Sequence, residues 1–259
     1  MNRSVKYPFA NMQKVTVVKL YIVVFCLFTC WVNAQTPKKV AWDYPVKQGT
    51  EAWNRTRTHA ERVAVCQIPE NLLSSISTKD LAEICLKYPV LFETLYSSNT
   101  YDSGLDRLFE EFNGIAELFK RSEVSKALLN QYQEKMQNLS YLEGKSTDTQ
   151  KGLFILDIAV IELLLSRYQS PDDKNNENYI VIMQFLITGY EKKLLYPKSF
   201  GGLSFGINLF ARTKILIKLD KQNLEKIPEK DINLIFSRGE FDEPTMRNIN
   251  ELSYQIIKK

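Results

Sequence analysis

At 259 residues, 44% of them hydrophobic and 25% charged, the chain has the composition of a globular protein rather than a disordered one. Four of its 34 basic residues and none of its 30 acids fall within residues 1–34, so the remainder carries 30 of each and is neutral. That balance excludes the broad positive field that draws a protein to nucleic acid or anionic lipid.

The first 34 residues have the grammar of a signal peptide. Leu20 to Phe28 is an apolar run preceded by Arg3, Lys6, Lys14 and Lys19, and Val32-Asn33-Ala34 supplies a signal-peptidase site. The apolar core is shorter than the roughly 20 residues that span a bilayer, so cleavage and export are expected, to the periplasm, the cell surface or the medium. The alternatives are an uncleaved anchor, a start at Met12, and lipidation at Cys30. Any membrane contact is then confined to this segment before cleavage.

Residues 35–52 read as an extended arm, broken by Pro37, Pro45 and Gly49, whose aromatics Trp42 and Tyr44, with Trp53 just beyond, are expected to dock on the body. From there the text is helical. The run Thr56–Cys66 offers an apolar side of Ala60, Val63 and Ala64, and Pro69 opens a helix with Leu72, Leu73 and Ile76 inward. Ser77 caps a helix carrying Leu81, Ile84 and Cys85, which Tyr88-Pro89 stops. Val90–Tyr96 is a short helix, Tyr101-Asp102-Ser103-Gly104 a turn, and Leu105, Leu108, Phe109 and Phe112 one helical face. Asn113-Gly114 reads as a cap before Ile115–Lys120, and Ser122 as the cap of a helix bearing Val124, Leu128, Leu129 and Tyr132.

The polar stretch 143–151 marks a boundary between an N-terminal helical subdomain (53–142) and a C-terminal one (152–259) packed on it. Gly152–Tyr168 is apolar nearly all round, the pattern of a helix covered on several sides. Tyr179–Tyr190, Leu203–Leu219 and Pro244–Ile257 follow as helices, and Ile232–Phe236 is ambiguous between strand and helical turn. No sustained period-two alternation appears. The expected fold is all-α, a multi-helix bundle or an irregular stack of helix pairs.

Few residues point to chemistry. Gly202-Leu203-Ser204-Phe205-Gly206 matches the G-x-S-x-G pattern, but no strand precedes it and His59, the sole histidine, lies far upstream. Gly201, Gly202 and Ser204 at a helix start are the best place to look for a ligand, an anion on free backbone N–H groups being the sharpest version. His59, among Arg55, Arg57, Glu61 and Arg62, reads as solvated or capping. Cys66 and Cys85 either pair, as two cysteines in an oxidising compartment do, or form two buried apolar thiols. No metal site or cofactor is implied. Asp157 and Glu162 interrupt an apolar helix and, with Glu110, Glu111 and Glu117, are the carboxylates available to a glycosidase-like mechanism; the plainer expectation is that Asp157 and Glu162 face solvent or pair with cations.

The block Ile68-Pro69, Leu73, Ser77-Thr78, Leu81, Cys85-Leu86, Tyr88-Pro89, Gly104-Leu105, Phe112-Asn113-Gly114, Glu117-Leu118, Arg121 and Leu128-Leu129 resembles a group of uncharacterised exported bacterial helical proteins over about residues 50–135. The resemblance implies an exported helical protein and supplies no catalytic residue. The functional expectation is a non-enzymatic binding protein of a bacterial cell envelope with an unknown protein or peptide partner and no nucleic acid. The competing expectation is an envelope hydrolase that uses two carboxylates on a glycan.

Overall fold

Helix starts in this chain are written locally, and the computed structural model places them where short-range chemistry puts them. It describes residues 42–171 and 176–258; the expected signal peptide, residues 35–41 of the arm and most of Asp172–Glu177 lie outside the described residues. Among the described residues the regular structure is helical throughout, with fourteen α-helices, one 3-10 helix and no strand. In chain order these are α1 (Glu51–Arg55), α2 (His59–Val65), α3 (Glu70–Leu73), α4 (Thr78–Leu86), α5 (Leu91–Tyr96), α6 (Tyr101–Glu111), α7 (Asn113–Leu118) and α8 (Val124–Gln137). After a 3-10 turn (Leu139–Glu143) come α9 (Asp148–Ser166), α10 (Glu177–Leu194), α11 (Gly202–Leu219), α12 (Lys221–Leu224), α13 (Glu229–Arg238) and α14 (Glu243–Lys258).

Ser77 caps α4 by accepting from the Asp80 N–H, and Thr58–Glu61 and Thr147–Gln150 form capping boxes at α2 and α9. Ile232–Phe236 is part of α13. Three expectations are corrected. Asn113-Gly114 is not a cap but the first two residues of α7, whose N-cap is Phe112, and the Asn113 side chain bonds instead to the Ile68 N–H and carbonyl. Ser122 does not cap α8, whose N-cap residue is Glu123 with no side-chain bond. Tyr101–Gly104 is not a turn but the first turn of α6, because Thr100 and Ser103 close a reciprocal cap ahead of it.

Gly104 is there for packing. A Cβ on it would fall 2.2 Å from the Leu95 carbonyl oxygen, so its absence lets α6 lie against α5. Gly104→Ala is expected to cost about 1–3 kcal/mol, as overpacking does, because the obstacle is backbone; a thermal melt would read it as a lowered midpoint.

The described residues belong to one unit of mutual contacts, 40–259. Its centre is α9 packed on α11, with α10 against α11 and α8, and α14 over α10 and α11. On the other side α4 packs on α8 and α7, α5 on α6, and α13 reaches α6; α8 and α9 meet directly across the polar 143–151 stretch. No helix among the described residues is long and apolar enough to cross a membrane.

The aromatics at the end of the arm dock. Tyr44 is buried and its hydroxyl donates to the Ile84 carbonyl at 3.0 Å, its ring beside Tyr88 and Phe112. Trp42 and Trp53 pack partly buried against the same core. Cys66 and Cys85 are fully buried free thiols, not a disulfide in this structure. Burial pushes the Cys66 thiol up to about 11 and raises Cys85 too, so both are neutral apolar groups rather than nucleophiles.

Candidate functional site

The sequence-selected residues Gly201, Gly202 and Ser204 sit together where α11 begins. Gly201 is the N-cap residue and no side chain caps the helix; the Ser204 and Phe205 N–H groups turn onto the Gly201 carbonyl. A Cβ on Gly201 or Gly202 would meet nothing within 4 Å, so this end of the helix is open. Beside it runs a groove of about 250 Å³ whose walls are Gly152, Ile155, Leu156 and Ala159 of α9 and Gly201, Leu203 and Ser204.

The groove is built from apolar atoms, and Leu203 in its wall is 53% exposed. The pattern comes from α9. Its second half, from Ile158 on, is buried all round, while no residue of its first half is buried, although Leu153, Phe154, Ile155 and Leu156 are all apolar. A periodicity argument expects such a helix to be buried along its length; here the helices packed on α9, which are α11, α8, α4 and α6, leave its first half only half-buried, with Phe154 and Ile155 against the core. The walls favour an apolar group over the anion expected at this helix start.

Behind the groove lies a fully enclosed polar cluster. Lys193 of α10 and Glu162 of α9 are both 0% exposed and joined by bonds of 2.8 and 2.7 Å from Nζ to the two carboxylate oxygens. Tyr132 of α8 donates to Glu162 Oε1 at 2.5 Å and Asn208 of α11 donates to the same oxygen at 2.8 Å. Lys193 also reaches the Ser204 carbonyl at 3.2 Å, tying the cluster to the groove floor. Gly189 makes room for this arrangement, since a Cβ there would fall 1.8 Å from the Tyr132 hydroxyl oxygen.

Arg212 of α11 is equally buried, bonded to Asn250 Oδ1 at 2.7 Å and lying over the Tyr190 ring. Its Nε and Nη2, with Asn208 Oδ1 and Ser204 Oγ, have no hydrogen-bond partner among the described residues. Burial pulls the Lys193 ammonium below its ordinary value, against the pull of Glu162, and brings Arg212 down to about 10. Burial, reinforced by the Glu162 charge, pushes the Tyr132 hydroxyl well up, so it is a neutral donor.

The other sequence candidates separate. Asp157 pairs with Lys135 at 2.6 Å and Glu117 with Arg121 at 3.4 Å, while Glu110 is exposed. Asp157 and Glu162 thus both pair with cations, as the plainer reading expected. Ser204 Oγ is buried within a helix and His59 is bonded elsewhere, so no nucleophile–base pair forms.

His59 itself is the largest departure from the sequence reading. It is neither solvated nor a cap. Its ring lies between two carboxylates, Nδ1 3.0 Å from Glu93 Oε1 and Nε2 2.6 Å from Glu111 Oε2. The side of α2 that faces the body is His59, Arg62 and Val63, whereas Ala60 and Ala64 are exposed. Among the described residues, no three His, Cys, Asp or Glu side chains are placed to hold a metal ion.

Apart from one of about 320 Å³ at Phe109, Phe119 and Arg167, two larger concavities are more polar. One of about 590 Å³ runs along Tyr44, Phe92 and Leu153 and is rimmed by the pairs Asp43–Lys47, Glu83–Lys87 and Lys135–Asp157. The other, of about 490 Å³, lies over Tyr132 and Gly189, edged by Gln133, Gln184 and Lys192. The first half of α9 is a ridge between the 590 Å³ concavity, on its Leu153 and Asp157 flank, and the apolar groove on its Ile155 and Leu156 flank. No protein family, curated protein or solved structure matches the chain.

Proposed function

We propose that the chain is an exported, non-enzymatic binding protein of a bacterial cell envelope that seats the apolar side of a protein or peptide partner on the α9 ridge and its groove against α11. The observation that carries this reading is the apolar groove beside the half-buried first half of α9, with Leu153 of α9 and Leu203 of α11 exposed. An apolar groove with exposed leucines is the kind of surface that partner helices and peptides occupy. Export rests on the leader alone.

The competing reading, a two-carboxylate hydrolase, needs one acid kept protonated near neutral pH. Glu162 is enclosed with Lys193, and Asp157, Glu111 and Glu117 are each committed to an ion pair with a lysine or arginine.

A tagged full chain, expressed in a bacterial host and carrying a photo-crosslinking side chain at Leu156, tests the proposal. One partner should crosslink reproducibly and disappear with Leu203→Glu, while Leu234→Glu, an exposed site on α13, leaves it in place. Crosslinking insensitive to Leu203→Glu, or turnover of a cell-wall glycan by the purified chain, defeats it.

A further inference from the structure

The segment from Lys47 to Val65 is bound to the rest of the protein in an unusual way. Its two ends are anchored in the core: Tyr44 and Val46 are buried before it, and Cys66 and Ile68 after it. Between these anchors no residue is buried at all, and neither α1 nor α2 makes an extensive helix–helix contact. What apolar contact exists is partial, from Trp53 and Val63. The middle of this strap is held instead by ionic hydrogen bonds, and His59 is their hub.

His59 of α2 spans Glu93 of α5 and Glu111 of α6. On α2, Arg62 Nη1 also reaches Glu93 at 3.2 Å, and the Arg62 guanidinium lies 4.6 Å from the centre of the Trp53 ring. Glu61 is turned away, accepting from the Arg57 and Thr58 N–H groups. From α6, Arg107 Nε donates to Glu111 Oε1 at 2.7 Å, and from α5, Thr94 Oγ1 lies 3.5 Å from Glu111 Oε2. The histidine therefore faces two carboxylates whose remaining oxygens are each taken by an arginine.

A neutral imidazole has one N–H donor and one bare acceptor nitrogen. Facing a carboxylate on each side, it satisfies one and sets its lone pair against the other. Only the protonated ring donates to both. We propose that His59 is a protonation-dependent clamp: charged, it closes the 47–65 strap onto α5 and α6, and neutral, it lets the strap open while both anchored ends stay in place.

The sign follows from the chemistry. The clamp is complete on the acid side and is lost as pH rises through the ring's titration. It has an acid limit as well. Burial pushes the Glu111 carboxyl up, but the hydrogen bonds from His59 and Arg107 outweigh that and hold it below its usual value. Its contribution is present above the ordinary glutamate range and is lost as pH falls through the lowered one.

The chain has one histidine, so a single set of imidazole NMR resonances reports the ring without ambiguity. The experiment pairs that titration with hydrogen exchange of the full chain, corrected for intrinsic rates, between about pH 5.5 and about pH 8.5. Residues 47–65 are expected to exchange on the order of tenfold faster at the alkaline end, with the midpoint tracking the ring and with α9 and α11 unchanged. His59→Gln should remove the pH response. Glu93→Gln should remove it by a different route: the new amide donates to the neutral ring, so protection persists at alkaline pH. Exchange in 47–65 that ignores the ring's titration, or a pH response that survives Glu93→Gln, overturns the clamp. Should His59→Gln loosen α9 and α11 as well, Glu93→Gln decides alone.

Discussion

Lys193→Met is expected to destabilise the fold by about 3–5 kcal/mol, the usual consequence of removing one partner from a buried ion pair. Glu162 would keep its bonds from Tyr132 and Asn208 but lose the cation that balances its charge, with both side chains at 0% exposure. The informative comparison is the double substitution Glu162→Met with Lys193→Met. A buried pair replaced by apolar side chains of similar volume is often neutral or stabilising, so the double variant should recover most of what the single one loses. Urea unfolding of the wild type, Lys193→Met, Glu162→Met and the double variant gives the coupling energy directly. If the single and double variants are equally destabilised, the pair is not the unit described here.

Phe112→Ala should cost a similar amount, about 3–5 kcal/mol, through lost transfer energy and the cavity it leaves. Phe112 is fully buried, its ring stacked on Tyr88 at 3.9 Å with 5° between planes, and it lies against the site where a Cβ on Gly114 would fall. Tyr44 packs on the same pair of rings. The variant should therefore loosen the docked end of the arm as well as lower the denaturation midpoint. Faster hydrogen exchange at residues 43–47 would accompany the loss of stability; a loss of stability with the arm still protected would separate the two.

These effects come from opposite kinds of core. The Phe112 region is closed by interlocking rings, and its cost is one of shape. The α8–α11 centre is closed around charge, and its cost is one of balance. Arg212 keeps two N–H donors without partners among the described residues, which is expensive. Buried polar groups of this sort are poor sources of stability but can restrict which helix faces meet. That role gives the Glu162–Lys193 pair, enclosed behind the groove, a reason to exist.

Much of the fold was legible because it is local. The Ser77 cap and the helix breaks at Pro69 and Tyr88-Pro89 depend on residues three or four apart, and the helical faces of Leu81, Ile84 and Cys85 or of Val124, Leu128 and Tyr132 depend on a 3.6-residue period. The failures were local as well as distant. Tyr101–Gly104 looks like a turn because a glycine is ambiguous until its neighbour is known, and here the neighbour is the backbone of α5. The groove was partly legible: Gly201, Gly202 and Ser204 line it, but nothing in the sequence told that apolar α9 residues would stand beside that helix start.

By itself the sequence determined an all-helical chain, the ends of most of its helices, and which faces are oily, because these follow from propensity, capping and periodicity within a few residues. Tertiary structure alone decided the pairings: His59 with acids 34 and 52 positions away, Lys193 with Glu162 across 31, and which half of α9 is fully buried. The physical reason is that a period tells each helix which side to bury but not which neighbour will arrive there. That choice belongs to the way helices cross, and the partners of every charged group are set only once they have.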